Sequence, residues 1–338
     1  MVFRHRAMNE ALPPRPQAPL RLAISECLTG AEVRYDGSGA RSSFPHEALD
    51  GLFDFLPVCP EMGIGLTVPR PPIRLVGTTD DVRAVGVVDR GLDVTQALRD
   101  FGEATAQQLR SRGVSGYVFM KNSPSCGLYR VKVYGRSDAV AEDRSLPVRK
   151  GQGVYARAVV DTWPELPVEE CGRLMDAVIR ENFVTRVFAY AHWQALQAAG
   201  VTASRLVAFH SRYKYLLMAH SIEAYRNTGR LLADLSGDLP DIAARYVREL
   251  MRGLSRVATR GGHANVLSHL QGYLRRHLDP ASRQELASLV EAYRRGEQPL
   301  LSVLTLLGHH LRRFPDTYVQ SQVYLEPHPP MLALRRPL

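Results

Sequence analysis

The periodicity of apolar residues changes once along this chain, and that change constrains the fold more than any other feature. From residue 20 onward, short apolar runs read as strands: "RLAIS" (21–25), "FLPV" (55–58), "RAVGVVD" (83–89), "GYVFM" (116–120) and "RVKVYG" (130–135). Between them Asp93 caps "VTQALRDFGEATAQQLRSR", where Val94, Ala97, Leu98, Phe101 and Leu109 recur at helical spacing. Alternation of this kind predicts an α/β layer with a mainly parallel sheet. From about residue 165 helix follows helix. "PVEECGRLMDAVIRENFVTRVFAYAHWQALQAAG" reads as one long helix or two consecutive ones, and another helix starts near Thr202. Asp279 and Pro280 form an N-cap and first-turn pair, with Gly296 as the stop. The expected fold is therefore an α/β N-terminal domain with a mainly parallel sheet, followed by an all-α helical bundle domain. The expected boundaries are a flexible tail over 1–19, an α/β domain over 20–162 and a basic helical domain over 163–335.

Charge divides the chain at nearly the same place. Residues 1–179 are balanced, and the whole net charge of +9 falls in 180–338, with nine of the eleven histidines. A basic half raises the prospect of a polyanionic partner, through phosphate neutralisation and counterion release. The start, "MVFRHRAMNEALPPRPQAPL", lacks the apolar core of a secretory signal, and no apolar run reaches membrane-spanning length. Cytoplasm is the default expectation, with no membrane partner. Nothing in the sequence speaks to oligomeric state.

The cysteines Cys27, Cys59, Cys126 and Cys171 have no zinc-finger spacing, so local context carries the signal. Cys27 in "SECLTG", Cys59 in "PVCPE" and Cys126 in "NSPSCG" each follow a strand-like run. Loops at the carboxyl ends of parallel strands gather in one crevice, which brings distant residues together. Gly30, Pro60 and Gly127 are turn formers beside them. Such a trio suits an iron–sulfur cluster, a zinc ion or separate thiols, and the residues alone leave these open. Cys171 reads as a packing residue or a surface thiol.

The segments "ISECLTGAEVRYDG", "LPVCPEMGIGLTVPRPPIRLV" and "MKNSPSCG" resemble the thiouracil desulfidase family. "RENFVTRVFAY", "FHSRYKYLLMAHS", "HANVLSHLQGY" and "VYLEPHP" resemble the helical domain often fused behind it, and the pair is similar to bacterial tRNA 4-thiouridine desulfidases. This resemblance implies a [4Fe–4S] cluster on Cys27, Cys59 and Cys126, with one iron free for the substrate sulfur. It implies removal of sulfur from 4-thiouridine in tRNA, giving uridine. Glu61, two residues after Cys59, is the expected acid or base, the alternative being a turn cap or an Arg pair. Ser125 and Ser123 are expected to bond substrate or cluster sulfide, the alternative being local turn bonding. Ser25 is a weaker candidate, and Asp36 reads as a turn residue. Arg34, Arg70 and Arg74 would meet phosphate or pair with carboxylates. Gly63 and Gly65 form only a fragment of a dinucleotide loop, so neither nicotinamide nor flavin is expected.

In the basic half, "FHSRYKYLLMAHS" puts His210 and Lys214 on one helical face beside Arg212, and Arg275 and Arg276 add cations near a helix end. Cations interleaved with aromatics suit RNA, although each pair alone fits a helix C-terminus equally well. The expected partner is tRNA containing 4-thiouridine. Rival readings are a desulfidase of free thiouracil-type bases, with the helical half serving dimerisation, and a non-catalytic iron–sulfur regulator that binds RNA.

Overall fold

The structure, a computed structural model, describes residues 12–78, 81–89, 91–135 and 146–329. The sequence expectations for residues 1–11 and 330–335 lie outside them. The chain divides into two compact units, one of Ala18–Asp176, the other of Ala177 onward together with residues up to Gln17.

The first unit holds two four-stranded sheets. Its strands are β1 (Leu20–Ser25), β2 (Phe53–Val58), β3 (Ile73–Gly77), β4 (Val82–Gly86), β5 (Tyr117–Phe119), β6 (Val131–Tyr134), β7 (Val148–Gly151) and β8 (Val168–Glu170). One sheet has the order β2-β1-β5-β8 and is parallel throughout. In it β1 lies between β2 and β5, the place where strand order reverses and where ligands bind in open α/β sheets. The other sheet, β4-β3-β6-β7, pairs β3 with β6 in parallel and closes both flanks antiparallel.

The helices of this unit are α1 (His46–Leu49), α2 (Pro60–Gly63), α3 (Thr95–Ser111) and α4 (Val154–Thr162). The N-cap residue of α3 is Val94 rather than Asp93, which sits one position earlier with its Oδ1 accepting the Thr95 N–H at 2.9 Å. Helix α3 packs on α4 at Gly102, where a Cβ would lie 2.7 Å from that of Ala158. Tyr117 and Phe119 of β5 are fully buried and stacked, and Tyr117 shares a 3.0 Å hydrogen bond with Tyr155 of α4.

The segment before residue 177 corrects the helical reading. Residues 168–170 are β8 and residues 173–175 a 3-10 turn, so the helix begins only at Ala177. The strand has no apolar run because Glu169 and Glu170 are both buried with partners. Glu170 Oε1 accepts the N–H groups of Leu128 (2.8 Å) and Tyr129 (3.0 Å), which a solvent-facing helical Glu would not do.

The second unit is helical: α5 (Ala177–Ala198), α6 (Ala203–His220), α7 (Ile222–Leu231), α8 (Leu239–Leu254), α9 (Arg260–Leu274), α10 (Pro280–Arg295), α11 (Leu300–Arg313) and α12 (Thr317–Gln320). Thr202, Ser221, Asp238, Thr259 and Asp279 cap α6 to α10 through their side-chain oxygens. Each cap satisfies an orphan N–H, and Gly296 ends α10 in the left-handed region at φ 84°. Trp193, Phe209, Tyr213 and Tyr246 fill the core. His192 joins them, donating from Nε2 to the Pro13 carbonyl (3.1 Å) and accepting the Tyr213 hydroxyl at Nδ1 (3.0 Å). The described end of the expected tail is thus built into this core. Among the described residues no helix is long and apolar enough to cross a membrane.

Candidate active site

Four cysteines follow the four strands of the parallel sheet. Cys27 lies in the 3-10 turn after β1, Cys59 directly after β2, Cys126 in the loop after β5, and Cys171 directly after β8. Three of them, Cys27, Cys59 and Cys126, line one cavity of about 380 Å³, together with Glu61, Ser25, Ser123, Arg34 and Lys121. Cys171 is fully buried and stands apart from that lining, its sulfur 3.9 Å from that of Met120.

Local bonds hold each sulfur in place. The carbonyl of Cys27 accepts the N–H of Ala40 (2.8 Å) and of Gly30 (3.3 Å), whose φ of 106° suits glycine. Cys59 is the N-cap residue of α2, with Pro60 in the first turn. In the Cys126 loop, Ser123 Oγ accepts the N–H groups of Ser125 (3.2 Å) and Cys126 (3.0 Å). The same loop is clamped from α4, where Ala156 N–H reaches the Ser125 carbonyl at 3.0 Å. Gly153 permits that approach, since a Cβ there would fall 2.4 Å from this carbonyl oxygen.

All three thiols resist ionisation while the cavity holds only protein. Burial, then the neighbouring Cys59, pushes Cys27 up to about 12. Cys59 is raised by burial. Cys126 is raised far above the ordinary thiol value by burial and next by the Glu61 charge, with a hydrogen bond from Ser25 opposing. Ser25 also accepts the Met120 N–H at 2.9 Å, so its hydroxyl joins β1 to the loop that carries Cys126. Thiols raised in this way lose their protons when a cationic metal group binds. Among the described residues no group of three or more His, Cys, Asp or Glu side chains closes tightly enough on one point to hold a single metal ion.

Glu61 reaches the cavity from α2, and its carboxylate is engaged on both oxygens. Arg70 Nε donates to Oε2 at 2.7 Å, with Nη2 of the same guanidinium 2.7 Å from that oxygen, and Ser125 Oγ donates to Oε1. Arg70 is itself fixed by the carbonyls of Val33 (2.8 Å) and Thr67 (3.1 Å). Glu61 is thus an Arg partner, as one alternative expected, and it also lines the cavity.

The two serines, given one role by the sequence, differ in the structure. Ser125 is fully buried outside the cavity lining and bonds Glu61, whereas Ser123 lines the cavity and bonds the loop backbone. Arg34 lines the cavity with Ser38 as partner (2.9 Å), and Asp36 is the turn residue expected, its Oδ1 accepting the Ser38 N–H. Arg74 lies over the Tyr134 ring (5.1 Å), away from the lining. Lys121 was not foreseen as a cavity residue; its place directly after "GYVFM" was the available signal.

The residues expected to contact RNA lie on α6 and at the end of α9. Burial pushes the His210 imidazole from 6.5 down to about 4, and Lys214 adds to this. The Lys214 ammonium lies over the rings of Tyr318 (4.9 Å) and Tyr215 (5.1 Å). Arg212 is half-buried, while Arg275 and Arg276 are exposed at the end of α9.

The first unit is an α/β domain whose parallel sheet presents three thiols and a clamped carboxylate at its strand ends. Residues 22–171 match the family described as 2-thiouracil desulfurase, and residues 214–329 match a family described as a protein of unknown function, DUF1722. The chain is 39% identical to the uncharacterized protein YbgA of Escherichia coli over 157 residues, 46% of this chain and 93% of that protein. It is 34% identical to the uncharacterized protein YbbK of Bacillus subtilis over 110 residues, 31% of this chain and 72% of that protein. A solved structure described as the [4Fe-4S]-dependent thiouracil desulfidase TudS aligns with 46% of this chain and 93% of its own, at 24% identity and a TM-score of 0.34, a likeness too slight for structural argument. The chain belongs to the 2-thiouracil desulfurase family, with a DUF1722 domain in its second half.

Proposed function

We propose that this protein hydrolyses a thiocarbonyl on a pyrimidine, with 4-thiouridine in tRNA as substrate, using a [4Fe–4S] cluster held by Cys27, Cys59 and Cys126. The observation that carries the reading is the convergence of three strand-end thiols and Glu61 on one cavity. Three thiolates alone are an unusual ligand set for catalytic zinc and a familiar one on an iron–sulfur cluster. When bound, such a cluster supplies an iron without a protein ligand, a Lewis acid for the substrate sulfur.

The chain's own residues do the rest. The net change is C=S plus water to C=O plus hydrogen sulfide, without net oxidation or reduction. A base must take a proton from the attacking water, and an acid must return one to sulfur or to the ring nitrogen. Glu61 is the carboxylate of the cavity lining besides Glu26, and it stands two residues from Cys59. Arg70 and Ser125 fix its plane, so the carboxylate meets water in one orientation and little reorganisation is needed. The cavity volume of about 380 Å³ matches a small ligand such as one base rather than a stacked duplex segment. A 4-thiouridine within tRNA would therefore enter as an extruded nucleotide, at a cost of a few kcal/mol.

The test is turnover of anaerobically purified, iron-loaded protein on thionated tRNA, free 4-thiouracil and free 2-thiouracil, with sulfide quantified together with uridine from the tRNA and uracil from the free bases. The reading expects tRNA to be the preferred substrate by kcat/KM. Preference for free thiouracil would move the substrate to the base named in the family description. Full turnover by an iron-free, zinc-loaded sample would remove the cluster from the reading altogether.

A further inference from the structure

The helical unit carries a concave surface that the cavity chemistry leaves unexplained. Helices α7 and α8 pack side by side, and a depression of about 630 Å³ between them is lined by Arg230, Arg245, Arg248 and Arg252, with Glu249 as its carboxylate. On α8 the arginines recur at i, i+3 and i+7, so they share one face over a length of about 10 Å. All four are exposed.

Glu249 does not neutralise this row. Both its oxygens are taken by Arg252, at 2.7 and 2.9 Å, and Asn227 adds a third bond at 2.8 Å. Arg245 reaches Asp241 at 3.4 Å, a pair in which both side chains are exposed. Among the described residues no carboxylate lies within ion-pair distance of Arg230 or Arg248. Elsewhere on the unit some exposed arginines are matched, Arg294 with Glu291 and Arg295 with Glu297, both bidentate, and Arg256 with Glu223, while Arg275, Arg276, Arg312 and Arg313 have no ion pair among the described residues. What sets the groove apart is that its arginines share one concave surface. Like charges held this close repel unless an anion lies between them, and guanidinium forks match phosphate oxygens two at a time. The groove's aliphatic side chain is Leu231, which leaves no apolar anchor site of the kind protein partners use.

We propose that the α7–α8 groove binds successive phosphates of an RNA strand, with Arg230 and Arg248 as the principal contacts. The choice of RNA over another polyanion rests on the tRNA reading above. The test is binding of unmodified tRNA to the full-length protein over a salt series, comparing wild type with R230Q/R248Q. R275Q/R276Q, which removes the same charge from the end of α9, is the matched control. R230Q/R248Q is expected to weaken binding about tenfold or more and to reduce the slope of log affinity against log salt by about 2. The control should show less than half of either effect, and turnover of free 4-thiouracil should stay at the wild-type level in both.

Equal losses in the two variants would replace the groove by a diffuse basic surface. An unchanged salt slope, or wild-type protein that binds no tRNA, would overturn the proposal. Competition by polyglutamate as effective as by RNA would reassign the groove to an acidic protein. Wild-type protein that binds tRNA with the expected slope, loses it in R230Q/R248Q, yet leaves 4-thiouridine intact would sink the desulfidation reading and keep the groove.

Discussion

In the α/β unit, Glu61 and Arg70 form an ion pair whose side chains are 14% and 5% exposed. In the helical unit, Glu249 and Arg252 form a pair of the same chemistry and length, with Arg252 45% exposed. The first pair is fixed by further bonds from Ser125 and to two backbone carbonyls; the second sits at the edge of an open groove among cations that have no such anchoring. Burial turns a charge pair into a positioning device, because each removed partner leaves an uncompensated charge in a medium that solvates it poorly. Exposure turns charge into a long-range field, weak for any one pair and screened by salt. One chain therefore holds a carboxylate–arginine pair in fixed geometry in one unit and leaves one in an exposed field of charge in the other.

The comparison is broken most sharply at the sulfurs. Changing Cys27, Cys59 or Cys126 singly to Ala is expected to abolish both iron retention and turnover, read as iron per chain and visible absorption after anaerobic reconstitution. Cys171→Ala should keep both, because that sulfur lies outside the cavity lining. Iron loss in the Cys171 variant equal to that of the other three would erase the distinction.

Next in size is Glu61→Gln, which should retain iron and lower turnover by about 10²–10⁴. A variant with normal turnover would reduce Glu61 to a structural partner of Arg70. Arg70→Met should then cost about 3–5 kcal/mol of stability by leaving Glu61 without its cation, whereas Arg252→Met should cost under about 1 kcal/mol. Urea midpoints of the two variants measure this directly, and similar shifts would refute the contrast between buried and exposed pairs.

The smallest effect concerns acid. Burial pushes His192 and His210 down to about 4 from 6.5. Their folded-state values lie below the unfolded one, so the unfolded chain binds more protons between these limits. The stability that depends on keeping them neutral is full above about pH 6.5 and is lost as pH falls toward about 4. Each contributes a slope of up to about 1.4 kcal/mol per pH unit in that window. His192→Gln should flatten the acid limb of a thermal melting series, and an unaltered limb would assign the acid sensitivity to other groups.

Much of this was legible in the sequence, for identifiable reasons. Cys27, Cys59 and Cys126 could be grouped because each follows an apolar run and sits beside a turn former, and strand-end loops converge by topology rather than by spacing. The fourth strand was not legible. Val168–Glu170 is three residues long and ends in two glutamates, and its pattern is set by distant N–H groups of Leu128 and Tyr129. The division of labour between Ser123 and Ser125 was equally hidden, since one residue of loop rotation decides which hydroxyl faces the cavity. Charge excess was visible in the second half, but the useful quantity is which arginines lack carboxylates, and that depends on the pairing of α7 with α8. The surroundings of His210 were hidden for a related reason: helical spacing places it beside Lys214 without revealing that Tyr246 lies against it.

The bond between His192 and the Pro13 carbonyl bears on how the protein emerges from the ribosome. Residues 12–17 are made before the sheet unit, yet they join the helical unit that is made after it. Residues 18–176 can begin to fold as soon as they leave the exit tunnel. Pro13 must wait while more than a hundred residues are translated before α5 and α6 exist to receive it. A tag or leader placed at that end would delay closure of the helical core without touching the sheet that carries the thiols.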